Sequence, residues 1–130
     1  QEGFLTGWDQ KVTDFFPDLE GEFAAELEVK HLATMTSGLD WEEHYTSPFS
    51  ITAQVYYTDD VWDLVKTLPI KTRPGTHYEY QSGSTQLLGM IIIKATGRHL
   101  SDYASEKLWK PLQAKETAFW QIDAPNGTEF

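Results

Sequence analysis

Cysteine is absent from this chain of 130 residues. That excludes disulfides, thiolate metal sites and a cysteine nucleophile, and leaves the redox compartment undecided. Long apolar runs are also missing. The longest, Met90–Ile93, falls well short of the ~20 residues that a membrane-spanning helix needs. Basic residues are scarce: 10 Lys and Arg stand against 20 Asp and Glu, a net charge of −10. The acids gather at Asp18, Glu20, Glu22, Glu26 and Glu28, and again at Asp40, Glu42 and Glu43. Such a surface reads as a soluble acidic face and repels phosphates, so no nucleic-acid partner is expected. There is no internal repeat and no low-complexity linker. Gln1–Phe4 lacks the basic and apolar regions of a secretory signal, which says nothing of what precedes it.

Familiar ligand-binding patterns are missing as well. The four histidines, His31, His44, His77 and His99, are scattered, with no i, i+4 pair to set two ligands on one helical face. No metal and no cofactor is expected. Gly83 and Gly89 do not fit a dinucleotide fingerprint, and no Gly-Lys-Ser/Thr or EF-hand spacing occurs. Asn126-Gly127-Thr128 matches a glycosylation sequon over three residues and reads as readily as a turn. The neighbouring carboxylates Glu42-Glu43 and Asp59-Asp60 point in different directions on a helix or strand, so they read as structural rather than as an acid/base pair.

What is present is enough for one domain: 40 % hydrophobic and 14 % aromatic residues supply a core. The pattern predicts about five helices with at most short strands, a mostly α chain. Asp9 caps a short helix that runs through Phe16 to the stop at Pro17. Glu28–Ser37 reads as a helix, with Gly38 as its C-cap. Leu39–Pro48 is aromatic and irregular. Ser50–Thr58 alternates like a strand, yet suits a helix start equally. Asp59 caps a helix with Val61, Leu64, Val65 and Leu68 on one face, ended by Pro69. Ser82 or Ser84 caps the strongest helix, whose apolar face is Leu87, Leu88, Ile91, Ile92 and Ala95 and whose end is Gly97. Ser101 caps a further helix to about Lys110, before Pro111. Thr117–Ile122 reads as a short strand.

Tyr80-Gln81-Ser82 sits at the mouth of that strongest helix. A tyrosine serves as general acid or base when nearby cations bring its pKa from about 10 toward neutrality. A following serine then presents its hydroxyl to the same spot. On the residues alone, a packed tyrosine beside a helix cap is the favoured reading, since Tyr-x-Ser is a three-residue pattern of almost no specificity.

The context of that triplet carries a resemblance. VKHLATMTSGLDW (Val29–Trp41) and PGTHYEYQSGSTQLLGMIIIKATGRHLSDYASEKLWKPL (Pro74–Leu112) together resemble the serine β-lactamase-like hydrolases. That family includes class C β-lactamases, DD-peptidases, family VIII esterases and 6-aminohexanoate-dimer hydrolases. The segment from Glu2 to Glu20 is similar to the stretch that follows the nucleophile helix in the same family. The likeness runs over nearly the whole chain, in order.

The resemblance implies an acyl-enzyme mechanism in which three motifs meet. Ser-x-x-Lys supplies nucleophile and lysine, Tyr-x-Asn a proton-transferring tyrosine, and Lys-Thr-Gly or His-x-Gly the opposite wall. Only the second carries over. Tyr80 stands at the catalytic tyrosine and Ser82 at the asparagine, with Gln81 at the variable middle position. Serine has no amide to hold a β-lactam side chain, so ester, linear amide or peptide substrates fit better than β-lactams. None of the eight lysines follows a serine by three residues, and no third motif occurs. The resemblance therefore implies that residues 1–130 form a single helical subdomain of the β-lactamase/DD-peptidase fold, without its α/β sheet domain and inactive alone. Its partners are then the remainder of its own parent chain and a small-molecule or peptide substrate. Its setting is outside the cytoplasm of a bacterium. The competing reading is a non-catalytic binding or sensor protein of the same fold. Trp41, Tyr45 and Phe49 form either an aromatic rim near the substrate entrance or part of the core. Any nucleophile inside the chain would have to be Ser37, Ser82 or Ser84.

Overall fold

A computed structural model describes residues 2–125 and 127–129. Among them there are five α-helices and no strand, only isolated bridges at Lys11–Glu28, Leu39–Ile70 and Ile122–Glu129. The helices are α1 (Val29–Ala33), α2 (Ile51–Val55), α3 (Val61–Lys66), α4 (Ser82–Thr96) and α5 (Leu100–Ala104). Single 3-10 turns occupy Val12–Asp14 and Ala24–Glu26, and a π-turn extends α5 over Ser105–Trp109. No helix among the described residues is long and apolar enough to cross a membrane.

The central element is α4, which packs on α1, α3 and α5. It buries Gly83, Ser84, Leu87, Met90 and Ile91. Met90 was not on the expected apolar face, whereas Ile92 and Ala95 are only half-buried. Burial thus turns toward the i, i+4, i+7, i+8 row that begins at Gly83. The remaining core comes from Val12, Leu27, Leu32, Leu39, Val61, Val65 and Ile70, all 3 % exposed or less. At the far end of α4 the Lys94 ammonium bonds the Phe15 carbonyl at 2.6 Å and lies over the rings of Phe16 and Trp62. Gly97 closes the helix with φ +67°, its N–H bonding Ile93 O at 2.8 Å, as the glycine at that position predicts.

Several boundaries differ from the expectation, each for a local reason. Asp9 caps nothing; it pairs with Lys30, and the chain makes one 3-10 turn because Val12 N–H bonds Leu27 O instead. Helix α1 stops at Ala33 rather than Ser37, since Met35 takes φ +55° and Thr36 N–H reaches back to His31 O. Its start is fastened by Glu28 N–H donating to His31 Nδ1 at 3.1 Å. Gly38 does not cap α1. Its φ of +71° serves a close approach: a Cβ there would stand 2.0 Å from Thr72 O. Both Lys71 N–H and Thr72 N–H donate to the Gly38 carbonyl.

The ambiguous Ser50–Thr58 segment is helical, because Ser50 Oγ accepts from Ala53 N–H at 3.2 Å. Asp60, not Asp59, caps α3 by accepting from Asp63 N–H at 2.7 Å. Neither Ser82 nor Ser84 caps α4; Gln81 holds the N-cap position without a side-chain cap bond. Ser101 does not cap α5 either, since His99 is at that position and Ser101 bonds the Glu129 carboxylate. Among the described residues Thr117–Ile122 is not a strand: it forms no ladder, only the isolated bridge of Ile122 to Glu129, and Phe119 is 93 % exposed. Asn126 of the sequon lies outside the described residues.

Candidate active site

Two chain segments meet at the start of α4. The first, Ser37–Tyr45, follows the tight Gly38 approach. The second, Glu79–Ser82, enters α4 in extended conformation after Glu79 N–H bonds Met35 O at 2.9 Å. Gln81 joins them. It is 2 % exposed, accepts from Ser37 Oγ at 3.1 Å and donates to the Leu39 carbonyl at 2.9 Å. Ser37 Oγ is also 2.8 Å from Ser84 Oγ. This buried polar network leaves its groups satisfied, as a low-dielectric interior demands. It also makes Ser37 and Ser84, 1 % and 0 % exposed, structural groups with no base beside them.

Backbone alternation then sends Tyr80 and Ser82 to the opposite side from Gln81. They line an open groove of about 260 Å³ with Trp41, Tyr45, Val55 and Tyr56. The Trp41 ring packs across Gly83, where a Cβ would meet the ring at 2.4 Å. Trp41 is buried and Tyr45 exposed, so the aromatic segment is part core and part rim. Phe49 is 85 % exposed and lies outside the groove.

Glu43, half-buried, ties the groove residues Trp41, Tyr45 and Ser82 together. One carboxylate oxygen accepts from Trp41 Nε1–H and Ser82 N–H, each at 2.7 Å. The other accepts from the Tyr45 hydroxyl and from Ser82 Oγ, the latter at 2.8 Å. Burial raises the pKa of this carboxyl, but the four donors outweigh it and hold it below the ordinary value. A charged carboxylate so filled is a poor base, so it does not activate Ser82 as a nucleophile. Tyr45, in turn, is pushed up by its bond to Glu43 and stays a hydroxyl. Among the described residues no Lys, Arg or His lines the groove. Among the described residues no three His, Asp or Glu side chains gather as a metal site.

The structure therefore brings Trp41, Tyr45, Tyr80 and Ser82 to one groove. Sequence reasoning missed Gln81, taken as a variable position, and Glu43, taken as half of a surface pair. Glu42 does face solvent beside His44, 2.8 Å away; its neighbour turns inward. No spacing rule links Glu43 to Ser82 across 39 positions.

A family model for beta-lactamase matches residues 2–126. Protein flp of Staphylococcus aureus (strain MW2) is 30 % identical over 126 residues, covering 95 % of this chain and 25 % of the relative. An N-acetylmuramyl-L-alanine amidase of Bacillus subtilis (strain 168) is 31 % identical over 86 residues, covering 64 % of this chain and 19 % of its own. The chain thus spans about a quarter or less of the curated relatives it matches. Among solved structures, the hydrolase EstCE1 superposes with a TM-score of 0.66 at 20 % identity, over 94 % of this chain and 35 % of the other. A class C beta-lactamase superposes with a TM-score of 0.60 at 25 % identity, over 85 % of this chain and 28 % of the other. The groove at the start of α4 is thus set in a fold shared with those hydrolases, and the chain belongs to the serine β-lactamase-like family.

Proposed function

We propose that these residues are the helical part of a serine hydrolase that works through an acyl-enzyme, with Tyr80 as its proton-transfer residue. The observation that carries the reading is the exposed Tyr80 side chain in a groove at the mouth of α4, beside Ser82. The nucleophile, its lysine and the opposite wall come from elsewhere in the complete protein, so the 130 residues alone are inactive. Acyl transfer needs its groups as a unit. Ser82 offers no amide donor, which favours ester, linear amide or peptide bonds over a β-lactam ring. The natural contact for the rest of the protein is the apolar surface of Leu108, Trp109, Leu112, Phe119 and Trp120, all at least 39 % exposed. A bacterial, extracytoplasmic setting follows from the family resemblance alone and is tested by cell fractionation.

The test of the role of Tyr80 is Tyr80→Phe in the complete protein. Loss of a proton-transfer group lowers turnover of an activated ester by about 100- to 10,000-fold with the fold intact. An undiminished rate would remove Tyr80 from the chemistry.

A further inference from the structure

The rest of the protein can add groups to the open face of the groove, but not to the interior behind it. There Gln81, Ser37 and Ser84 are at most 2 % exposed, so their bonds are made within this chain. Those bonds bracket Tyr80. Before it, Glu79 N–H donates to Met35 O at 2.9 Å. After it, Gln81 Nε2 donates to Leu39 O at 2.9 Å, with longer contacts to Trp41 O at 3.4 Å and back to the Glu79 carboxylate at 3.2 Å. A hydroxyl has one proton to give and two lone pairs. Ser37 Oγ gives its proton to Gln81 Oε1 at 3.1 Å and accepts from Ser84 Oγ at 2.8 Å and Leu39 N–H at 3.3 Å. The Gln81 amide is thus fixed in one orientation, its oxygen toward a donor and its nitrogen toward acceptors only. The turn it grips is itself fastened, because the Gly38 carbonyl accepts from Lys71 N–H at 2.8 Å and Thr72 N–H at 3.2 Å.

We infer that Gln81 is a positioning residue for the proton-transfer step: its buried amide holds the backbone of Tyr80 so that the tyrosine hydroxyl is presented at a fixed place in the groove. The inference deepens the hydrolase reading above and rests on it. Gln81 touches no reacting atom and acts through Tyr80. Proton transfer along a hydrogen bond tolerates little error of position; a displacement of about 1 Å costs roughly 100-fold in rate. A residue that only filled the interior would need its volume and not its amide, and methionine keeps the volume.

The test is a double-mutant cycle in the complete protein, with 4-nitrophenyl butyrate as substrate. Parent, Gln81→Met, Tyr80→Phe and the double variant are assayed at a temperature where circular dichroism shows each to be folded. Gln81→Met lowers kcat by about 10- to 100-fold and leaves KM within about threefold. In the Tyr80→Phe background the same replacement changes kcat by less than about threefold, because the group it misplaces is already gone. A purely structural role would slow both backgrounds alike. Ser37→Ala is the second variant, for the case that Gln81→Met does not fold. It removes the donor to Gln81 Oε1, keeps the bond to Leu39 O, and lowers kcat by about 3- to 10-fold, as one lost hydrogen bond gives. That loss also disappears without the Tyr80 hydroxyl. Equal losses with and without that hydroxyl overturn the inference, as does a change confined to KM. A slowed Tyr80→Phe beside a Gln81→Met and a Ser37→Ala as fast as the parent overturns this inference and leaves the hydrolase reading standing. An undiminished Tyr80→Phe removes the role of Tyr80 and this inference with it.

Discussion

Replacing Gln81 by methionine tests whether the buried amide holds the site together. Methionine has nearly the same length and is flexible, so the change leaves little cavity. It removes two buried hydrogen bonds, one to Ser37 Oγ at 3.1 Å and one to the Leu39 carbonyl at 2.9 Å. The contacts to the Trp41 carbonyl at 3.4 Å and to the exposed Glu79 carboxylate at 3.2 Å are long or open to solvent and add little. Ser37 keeps Ser84, and Leu39 O keeps the Trp41 N–H. The loss is then that of two bonds at about 1–1.5 kcal/mol each, or about 2–3 kcal/mol in total. With a urea m-value of about 1.5 kcal/mol/M, the unfolding midpoint falls by roughly 1.5–2 M. The assay is equilibrium urea unfolding followed by tryptophan fluorescence, with Ser84→Ala as the comparison. Ser84→Ala removes only one bond of the network and shifts the midpoint about half as far. A Gln81→Met midpoint within about 0.5 M of the parent would show that the amide bonds contribute little. Packing alone would then explain the position, and the amide would not be what ties Leu39–Trp41 to the mouth of α4.

Gly83→Ala pits a small gain in helix propensity against a ring contact at 2.4 Å. The clash wins by about 1–2 kcal/mol, and the displaced Trp41 changes near-ultraviolet circular dichroism; an unchanged spectrum and melting temperature would contradict the packing described. Glu28 is held at about 2 by its bonds to Lys11 and Lys30. Its folded pKa lies below the unfolded one, so its contribution is complete above the ordinary carboxylate range and fades as pH falls toward about 2. The stability gap between the protein and Glu28→Gln therefore closes on acidification, which comparison of the two proteins reads independently of the general charge of −10. Burial lowers the pKa of His31, so its protonation below the ordinary histidine range favours unfolding. His31→Gln, whose side chain can also accept from Glu28 N–H, flattens the acid limb of the melting temperature between pH 7 and 5; an unchanged slope would count against the burial account.

The helix class was legible because apolar spacing and punctuation agreed: Gly97 ends α4 where a glycine should, and Pro69 follows α3 closely. Errors clustered where a distant partner overrode a local signal. Ser101 looks like a cap and instead serves Glu129. Ser82 looks like a cap and instead donates to Glu43. Ser50–Thr58 carries two periods at once, and only the bond from Ala53 N–H to Ser50 decides between them. For the site, Tyr80 and Ser82 were readable because they sit in one short motif. Glu43 and Gln81 were not. Their roles depend on contacts across 39 and 44 positions, which no periodicity encodes.

We propose that Tyr80 belongs to an acyl-enzyme site whose nucleophile lies outside these residues. Intact mass spectrometry after incubation with a β-lactam and with a fluorophosphonate tests it most directly, on the 130-residue chain and on the complete protein. One adduct is expected on the complete protein and none on the chain alone. An adduct on the chain alone would contradict it by requiring a nucleophile among Ser37, Ser82 and Ser84, and no adduct on either would mark a non-catalytic member of the family.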